Sequence, residues 1–443
     1  MSTTVPEHDR PAPEEPSVSV SIPVSAYRLG PLYLTLPLAN IALYMIWIGM
    51  GSFLIPWQVA EITGGNNPDA LSTASTTGAV LATIGNPLFG VLSDRTRSRF
   101  GRRTPWILLC GGIGSLALVG QAHASSIAML GLSWGVVQFF MNGYMAASTA
   151  AMPDRVPVRK YGVFSAMVGL GIPVATIIVS LIIGGVPGDK FGLSGTIGGF
   201  DGRFMGADGY YLIAALVAAS ALIFVVVSPD KSSKHLPREP FDVKEFLSGF
   251  WVDPRKHPDF AWAFCSRFGV MLGYWVVSVY TMYILADYIE VPGAELGSLM
   301  GYQLIINAVA TIVASMVIGP LVDKVGRLKP FVLVCGIGSA ASLAIPMLSP
   351  TENGMNWFQV VNGIFFGTYM AVDLALMTKV LPTTGDAGKD LGIVNIAAAG
   401  PQIVAPTVAG WIVDAGGYDM IFPIAAVISL LGAFLVLKVR SVR

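Results

Sequence analysis

The sequence predicts an all-α membrane protein: twelve transmembrane helices arranged as two six-helix bundles related by a pseudo-two-fold axis. Three observations carry that expectation. The 443 residues are 53% hydrophobic and 12% charged, whereas a soluble domain carries about 25% charged residues to keep its surface in water. Twelve runs approach the ~20 apolar residues that a helix needs to cross a bilayer. A short charged motif in the first half of the chain returns in the second half, which is the mark of an internal duplication.

The first six runs lie at approximately 33–59, 71–93, 104–122, 126–151, 162–185 and 209–228, and the second six at approximately 259–287, 296–321, 330–349, 356–380, 391–413 and 421–440. The runs 71–93 and 391–413 are rich in Thr, Gly and Pro, so a hairpin of two short helices is the alternative there; packed membrane helices tolerate these residues. Residues 1–30 are rich in Pro, Glu and Ser without a basic segment leading into an apolar run, and are expected to be a disordered cytoplasmic tail rather than a secretory signal. The domain plan is then a tail (1–30), a first bundle (31–228), a cytoplasmic linker (229–258) and a second bundle (259–443). The linker is expected simply to cross between the two bundles; the alternative for Phe241 to Trp251, which mixes aromatic and charged residues, is a short helix lying on the membrane surface.

Charge sets the expected orientation. With the N-terminus inside, the outer loops after spans 1, 3, 7, 9 and 11 contain no Lys or Arg, and the loop after span 5 has only Lys190 and Arg203 against Asp189, Asp201 and Asp208. Nearly all other basic residues fall on the opposite face, as the positive-inside rule requires for a cell-membrane protein with both termini cytoplasmic. The densest cluster, Arg95 to Arg103 in GVLSDRTRSRFGRRTPW, is thereby a cytoplasmic loop in reach of lipid headgroups. Net charge is zero, which gives no basis for nucleic-acid binding. Cys110, Cys265 and Cys335 sit in apolar runs and the four histidines are scattered, so neither a disulfide framework nor a metal site is expected. No GxxxxGK[ST] phosphate loop occurs, and no constellation suggests an enzyme or a bound cofactor.

The repeat is specific. Gly90, Asp94 and Arg95 match Gly319, Asp323 and Lys324; after a four-residue deletion Gly101-Arg102 matches Gly326-Arg327, and Pro105 matches Pro330. A looser echo pairs MPDRVPVRKYG after span 4 with VLPTTGDAGKDLG after span 10. This pattern, Gly-x-x-x-Asp-Arg/Lys followed by Gly-Arg-Arg/Lys between spans 2 and 3 and again between spans 8 and 9, resembles the signature of the major facilitator superfamily. The resemblance implies a secondary transporter, usually a single chain, in which helices 1, 4, 7 and 10 line a central cavity. It also implies a gating role for Asp94, Arg95, Arg99, Gly101, Arg102, Arg103 and Asp154, with Asp323, Lys324 and Arg327 as their second-half counterparts.

SDRTRSRFGRRTPW is similar, more narrowly, to the same loop in sucrose transporters and in the glycoside–pentoside–hexuronide cation symporters. That likeness implies a sugar, glycoside or polyol as substrate. The chain departs from the sucrose transporters in span 4. Asn142 and Asp154 fit their pattern, but Gln138 stands where they place an acid and Thr149 near where they place an arginine. Span 2 holds no carboxylate, so the sodium-site acids of melibiose-type symporters have no counterpart, and a proton is the expected coupling ion rather than sodium.

Charges at membrane depth are costly and tend to be functional. Two stand away from the span ends, Arg267 in span 7 and Asp373 in span 10, and pairing across the cavity is expected, with Asp373 carrying the proton and Arg267 tuning it; the alternative is a permanent ion pair that holds helices 7 and 10 together. Asn362, Phe366, Tyr369 and Asp373 share one face of span 10, as do Arg267, Met271, Tyr274 and Ser278 on span 7. Asn40, Tyr44 and Trp47 on span 1, Gln138 and Asn142 on span 4, Gln303 and Asn307 on span 8, and Asn395 on span 11 add amides and aromatics. These suit a small neutral polar substrate, which needs hydrogen-bonding groups and an aromatic platform. The alternative is a proton-coupled exporter of drugs or secondary metabolites, for which Met45, Met141, Met167 and Met271 would line an adaptable cavity.

Overall fold

The computed structural model describes residues 27–186, 204–236, 254–325, 327–380 and 387–440. The linker stretch Phe241 to Trp251, the outer-loop charges Lys190 and Arg203, and the side chains of Asp323 and Asn395 lie outside the described residues.

Twelve helical rods follow one another among those residues. They are α1 (Leu29–Thr63), α2 (Pro68–Arg95), α3 (Thr104–Ala122), α4 (Ile127–Thr149, continued by Ala151–Arg155), α5 (Tyr161–Gly169, then Gly171–Ile182) and α6 (Ala207–Val227) in the first half. In the second half they are α7 (Pro258–Tyr288), α8 (Gly293–Val325), α9 (Leu328–Leu348), α10 (Glu352–Val380), α11 (Ala387–Gly416) and α12 (Tyr418–Lys438). Local signals set the ends. Gly64, at φ +75, terminates α1 in the left-handed region that glycine tolerates. The Asn67 and Ser126 side chains cap α2 and α4 by accepting the amides of Ala70 and Met129. Prolines open α2, α3 and α7, where the missing N–H is no loss.

The run 71–93 is one continuous helix rather than a hairpin, with Pro87 inside it, and α11 likewise carries Pro401 and Pro406 without breaking. Neighbouring helices supply the packing that makes this possible. Gly85 lies against the backbone of Phe139 on α4, and Gly363 of α10 against that of Asn307 on α8. Small residues at crossings let the helix backbones approach, which is how helices associate without a hydrophobic driving force.

Each half packs by the same scheme. In the first, α2 and α3 pack on α4, α1 on α5 and α6, and α3 on α6; in the second, α8 and α9 pack on α10, α7 on α11 and α12, and α9 on α12. The repeat read from the loops is therefore a repeat of contacts. Even the helix defects are shared: α1 has a π-helical stretch at Gly49–Leu54, and its equivalent α7 has one at Ile284–Tyr288. Apolar side chains such as Leu116, Leu132, Met316 and Leu348 are exposed on the outer faces, where lipid rather than water is the neighbour.

The end of the molecule holding the arginine loop is called here the basic end, and the opposite one the far end. The bundles meet mainly through α2 with α11 and α5 with α8, two pairs that the pseudo-symmetry exchanges. Hydrogen bonds between the bundles lie toward the far end. Tyr280 donates to the Pro68 carbonyl at 2.7 Å, Tyr283 to Pro56 at 3.3 Å, and Asn66 to Asp287 at 2.8 Å. The α5–α8 crossing is also a far-end contact, where Gly297 and Gly301 sit against Gly184 and the Ser180 carbonyl.

Candidate functional site

Arg267 and Asp373 pair inside the second bundle. The Arg267 Nη1 atom donates to Asp373 Oδ2 at 2.6 Å, and the Tyr369 hydroxyl donates to Asp373 Oδ1 at 3.2 Å. The two charged residues are 5% and 1% exposed. Val270 and Met271 of α7, Val332 and Cys335 of α9, and Leu376 of α10 belong to the surrounding apolar cluster. The expected pairing across the cavity is thus a pairing between adjacent helices, because α7 and α10 belong to one bundle and these two side chains pack into it. Arg267 Nε and the neighbouring Ser266 hydroxyl have no hydrogen-bond partner. A buried ion pair offsets its desolvation only when its remaining donors are satisfied. This one is incompletely satisfied, and burial and the arginine act on the carboxyl in opposite senses.

The first bundle presents a different surface. The Trp47 indole N–H donates to Gln138 Oε1 at 2.8 Å, joining α1 to α4. Tyr44 meets Trp47 edge to face at 5.2 Å between centroids, and Asn142 donates back to the Gln138 carbonyl at 2.9 Å. All four residues are half-buried, so polar and π surface remains accessible beside them. On α7 and α10, half-buried Tyr274 and Phe366 stack at 3.7 Å with 9° between planes.

The other sequence-predicted binding residues are placed elsewhere. Asn40 is 3% exposed and donates to Leu36 of its own helix at 3.1 Å. Asn362 turns to α9, donating to Ser339 at 3.0 Å and Ser342 at 3.3 Å. Asn307 donates to the Gln359 carbonyl of α10 at 3.0 Å. Gln303 is fully buried with neither amide atom hydrogen-bonded, and Tyr369 is fully buried against Asp373.

At the basic end, three carboxylates hold the arginine loop. Asp154, in the short helix ending α4, accepts from Arg102 Nε at 3.2 Å and from Arg103 Nε at 2.9 Å. Arg103 also pairs with Asp94 and donates to Ser93, so its guanidinium is 5% exposed and fully engaged. Charge-assisted forks of this kind fix geometry as well as add energy. The third carboxylate, Asp230, follows α6. Its Oδ2 accepts the backbone amides of Arg102 and Arg103 at 3.1 and 3.2 Å, and its Oδ1 accepts the Tyr27 hydroxyl at 3.0 Å. Gly101 turns there at φ +87, with Asp230 where a Cβ would stand. Burial and the Asp230 carboxylate push the Tyr27 hydroxyl up to about 12.

Asp230, Arg155 and Tyr27 are the members that sequence reasoning missed. Arg155 is 1% exposed, donates to the Ser228 carbonyl at 2.9 Å and lies 3.3 Å from Asp230. The signal was present: Arg155 follows Asp154 directly, and Asp230 is the first acid after an uncharged apolar run. Arg99 sits over the Phe100 ring at 4.6 Å, outside these ion pairs. Lys324 and Arg327 of the second copy are exposed. Among the described residues no group of His, Cys, Asp and Glu is arranged to hold a metal ion.

The description of the Major Facilitator Superfamily matches residues 36–358 and 263–443. The chain belongs to this superfamily. Solved structures share its fold. A bacterial homolog of the human lysosomal transporter Spinster, in an inward-facing and unoccupied conformation, superposes with a TM-score of 0.65 at 15% identity, covering 95% of this chain and 99% of that one. The nucleoside transporter NupG gives 0.67 at 16% identity, over 92% and 98%. Among curated proteins, a fujikurins efflux protein of Gibberella fujikuroi is 23% identical over 210 residues, 46% of this chain and 43% of that protein. An uncharacterized symporter of Synechocystis sp. is 54% identical over 46 residues, 10% of this chain and 8% of that protein. The chain thus matches less than half the length of either curated relative. Membership and the long apolar helices make it a multi-pass membrane protein of the superfamily.

Proposed function

We propose that this transporter carries a small neutral polar solute, of the sugar, glycoside or polyol class, by alternating access in symport with protons. One observation carries the reading: the accessible amides and aromatic rings of α1 and α4 are uncharged, while the ion pair at membrane depth is sequestered behind apolar side chains. Tyr44, Trp47, Gln138 and Asn142 would hold the solute from the first bundle, and Tyr274 and Phe366 from the second. Asp373, held by Arg267 and Tyr369, would take and release the proton as α7 and α10 shift. The likeness of the arginine loop to the sucrose-transporter and glycoside-symporter group supports the substrate class.

The basic end is assigned to the cytoplasm by the positive-inside rule, so the far end faces outward and the conformation is the one closed outside. The working unit is a single chain in the cell membrane. Asp94, Arg103 and Asp154 carry the gating role from within the first bundle.

The test is uptake by proteoliposomes holding the purified protein, with labelled sucrose, maltose and a monosaccharide, with and without an inward proton gradient. Gradient-stimulated accumulation that Asp373→Asn abolishes is the expected result, and full accumulation by that variant removes the acid from the mechanism. The exporter reading keeps one support, the efflux protein among the relatives. Its sequence argument weakens, because Met45, Met141 and Met271 are buried in packing contacts and only Met167 is half-buried. Movement of a lipophilic cation without any sugar movement would establish it instead.

A further inference from the structure

The facing sides of α2 and α11 form a ladder between the bundles. The Thr76 and Thr407 hydroxyls are 3.2 Å apart. One turn toward the far end, a Cβ on Gly410 would stand 3.7 Å from the Ser72 Cβ and 3.2 Å from the Tyr280 hydroxyl. Residues 69, 72 and 76 of α2 and 414, 410 and 407 of α11 recur at steps of three and four, on one face of each helix. The same helical phase brings Asp69 and Asp414 to the outermost rung, one carboxyl from each bundle. Two ionised carboxylates there repel each other, and a proton on one of them removes the repulsion and lets that carboxyl donate to the other.

Among the described residues no cation nearby replaces that proton. The titratable groups around the rung are Tyr280, Tyr283 and Asp287 of α7 and Tyr418 of α12, with Asp419 beside Tyr288 and Asn66 donating to Asp287. Among the described residues the far end carries no Lys or Arg. Asp69 and Asp414 are both exposed, which leaves them open to protons from the far side. Loss of water where the helices meet, then the charge of Asp69 and the hydrogen bond to it, raise the Asp414 carboxyl above its ordinary value.

We infer that Asp69 and Asp414 are a proton-operated latch: one shared proton holds the bundles together at the far end, and its loss drives them apart. The inference rests on alternating access but not on the identity of the substrate. The linkage has a definite sign. Asp414 binds a proton more tightly when the far end is closed, so closure takes up a proton. Acidity favours the closed form, and that preference is lost as pH rises through the raised value of the closed state. With the far end outward, an acidic exterior pushes the carrier toward its cytoplasm-facing form.

The test reads conformation alone, so failure of sugar transport leaves it intact. Spin labels at Ser125→Cys and Ala294→Cys, both exposed at the far end and one on each bundle, are placed in a Cys265→Ser background. Electron–electron distances are measured in lipid nanodiscs from about pH 8 to about pH 4.5, above and across the ordinary aspartate range. In the parent protein the short-distance population should grow as pH falls, by up to about tenfold per pH unit for one linked proton. Asp69→Asn and Asp414→Asn should keep the short distance throughout and lose the pH response. Asp414→Lys, which makes the rung an ion pair, should do the same and guards against misreading a misfolded variant. A parent protein without a pH response, or asparagine variants that titrate like the parent, would overturn the latch.

Discussion

Arg267 and Asp373 meet at 2.6 Å inside the second bundle, and Tyr369 occupies the second carboxylate oxygen. Removing one partner leaves the other as an uncompensated buried charge. Arg267→Ala should therefore destabilise the protein by about 3–5 kcal/mol, seen as a large drop in thermal unfolding temperature in detergent. The double change Arg267→Met with Asp373→Leu should recover most of that loss, because well-packed apolar residues can replace a buried pair. The folded double variant should then exchange substrate by counterflow yet fail to accumulate it against a gradient.

The Trp47 to Gln138 bond joins two helices of the proposed solute face. Trp47→Phe and Gln138→Ala should each raise the half-saturating substrate concentration about tenfold, the effect of ~1.4 kcal/mol. Because the two side chains share one interaction, the double variant should be far less than a hundredfold worse. Initial uptake rates across a substrate series check both numbers.

Asp230 accepts two loop amides and the Tyr27 hydroxyl. Asp230→Ala leaves these donors without their acceptor and Arg155 without its ion-pair partner, and should destabilise by about 1–3 kcal/mol. Cleavage by trypsin within Arg95 to Arg103 should accelerate in the same variant. Asp230→Asn keeps one acceptor oxygen and should fall between the two.

Gly301 approaches the Ser180 carbonyl at the α5–α8 crossing. A larger side chain there holds the bundles apart where they close. Gly301→Val should lower transport at least several-fold while the protein stays folded, because the contact lies between bundles and not within one. Size-exclusion behaviour and uptake, measured together, separate these effects.

The fold was legible because its two signals are coarse ones: apolar length and a repeated loop. Hydropathy marks where a helix crosses but not what its polar residues touch. So Arg267 and Asp373 could be singled out from their depth, whereas Asn362 turning to Ser339 on α9 could not. A residue's direction depends on which helix lies beside it, and helix neighbours in a duplicated bundle are far apart in sequence. Asp230 illustrates the same limit: it joins the loop across more than a hundred residues. The ladder of α2 on α11 spans more than three hundred, and no local pattern announces that Asp69 will face Asp414.

Among the described residues, the clasp of Asp94, Asp154 and Asp230 around Arg102, Arg103 and Arg155 lies in the first bundle and the segment just after α6. Its shorter copy leaves Lys324 and Arg327 exposed. The loop and the ends of α2, α4 and α6 are therefore cross-linked at one place by four ion pairs. Helices that follow one another only through flexible turns become, at this end, members of one truss. Six charged side chains make the base of the first half a single rigid frame on which its six rods stand.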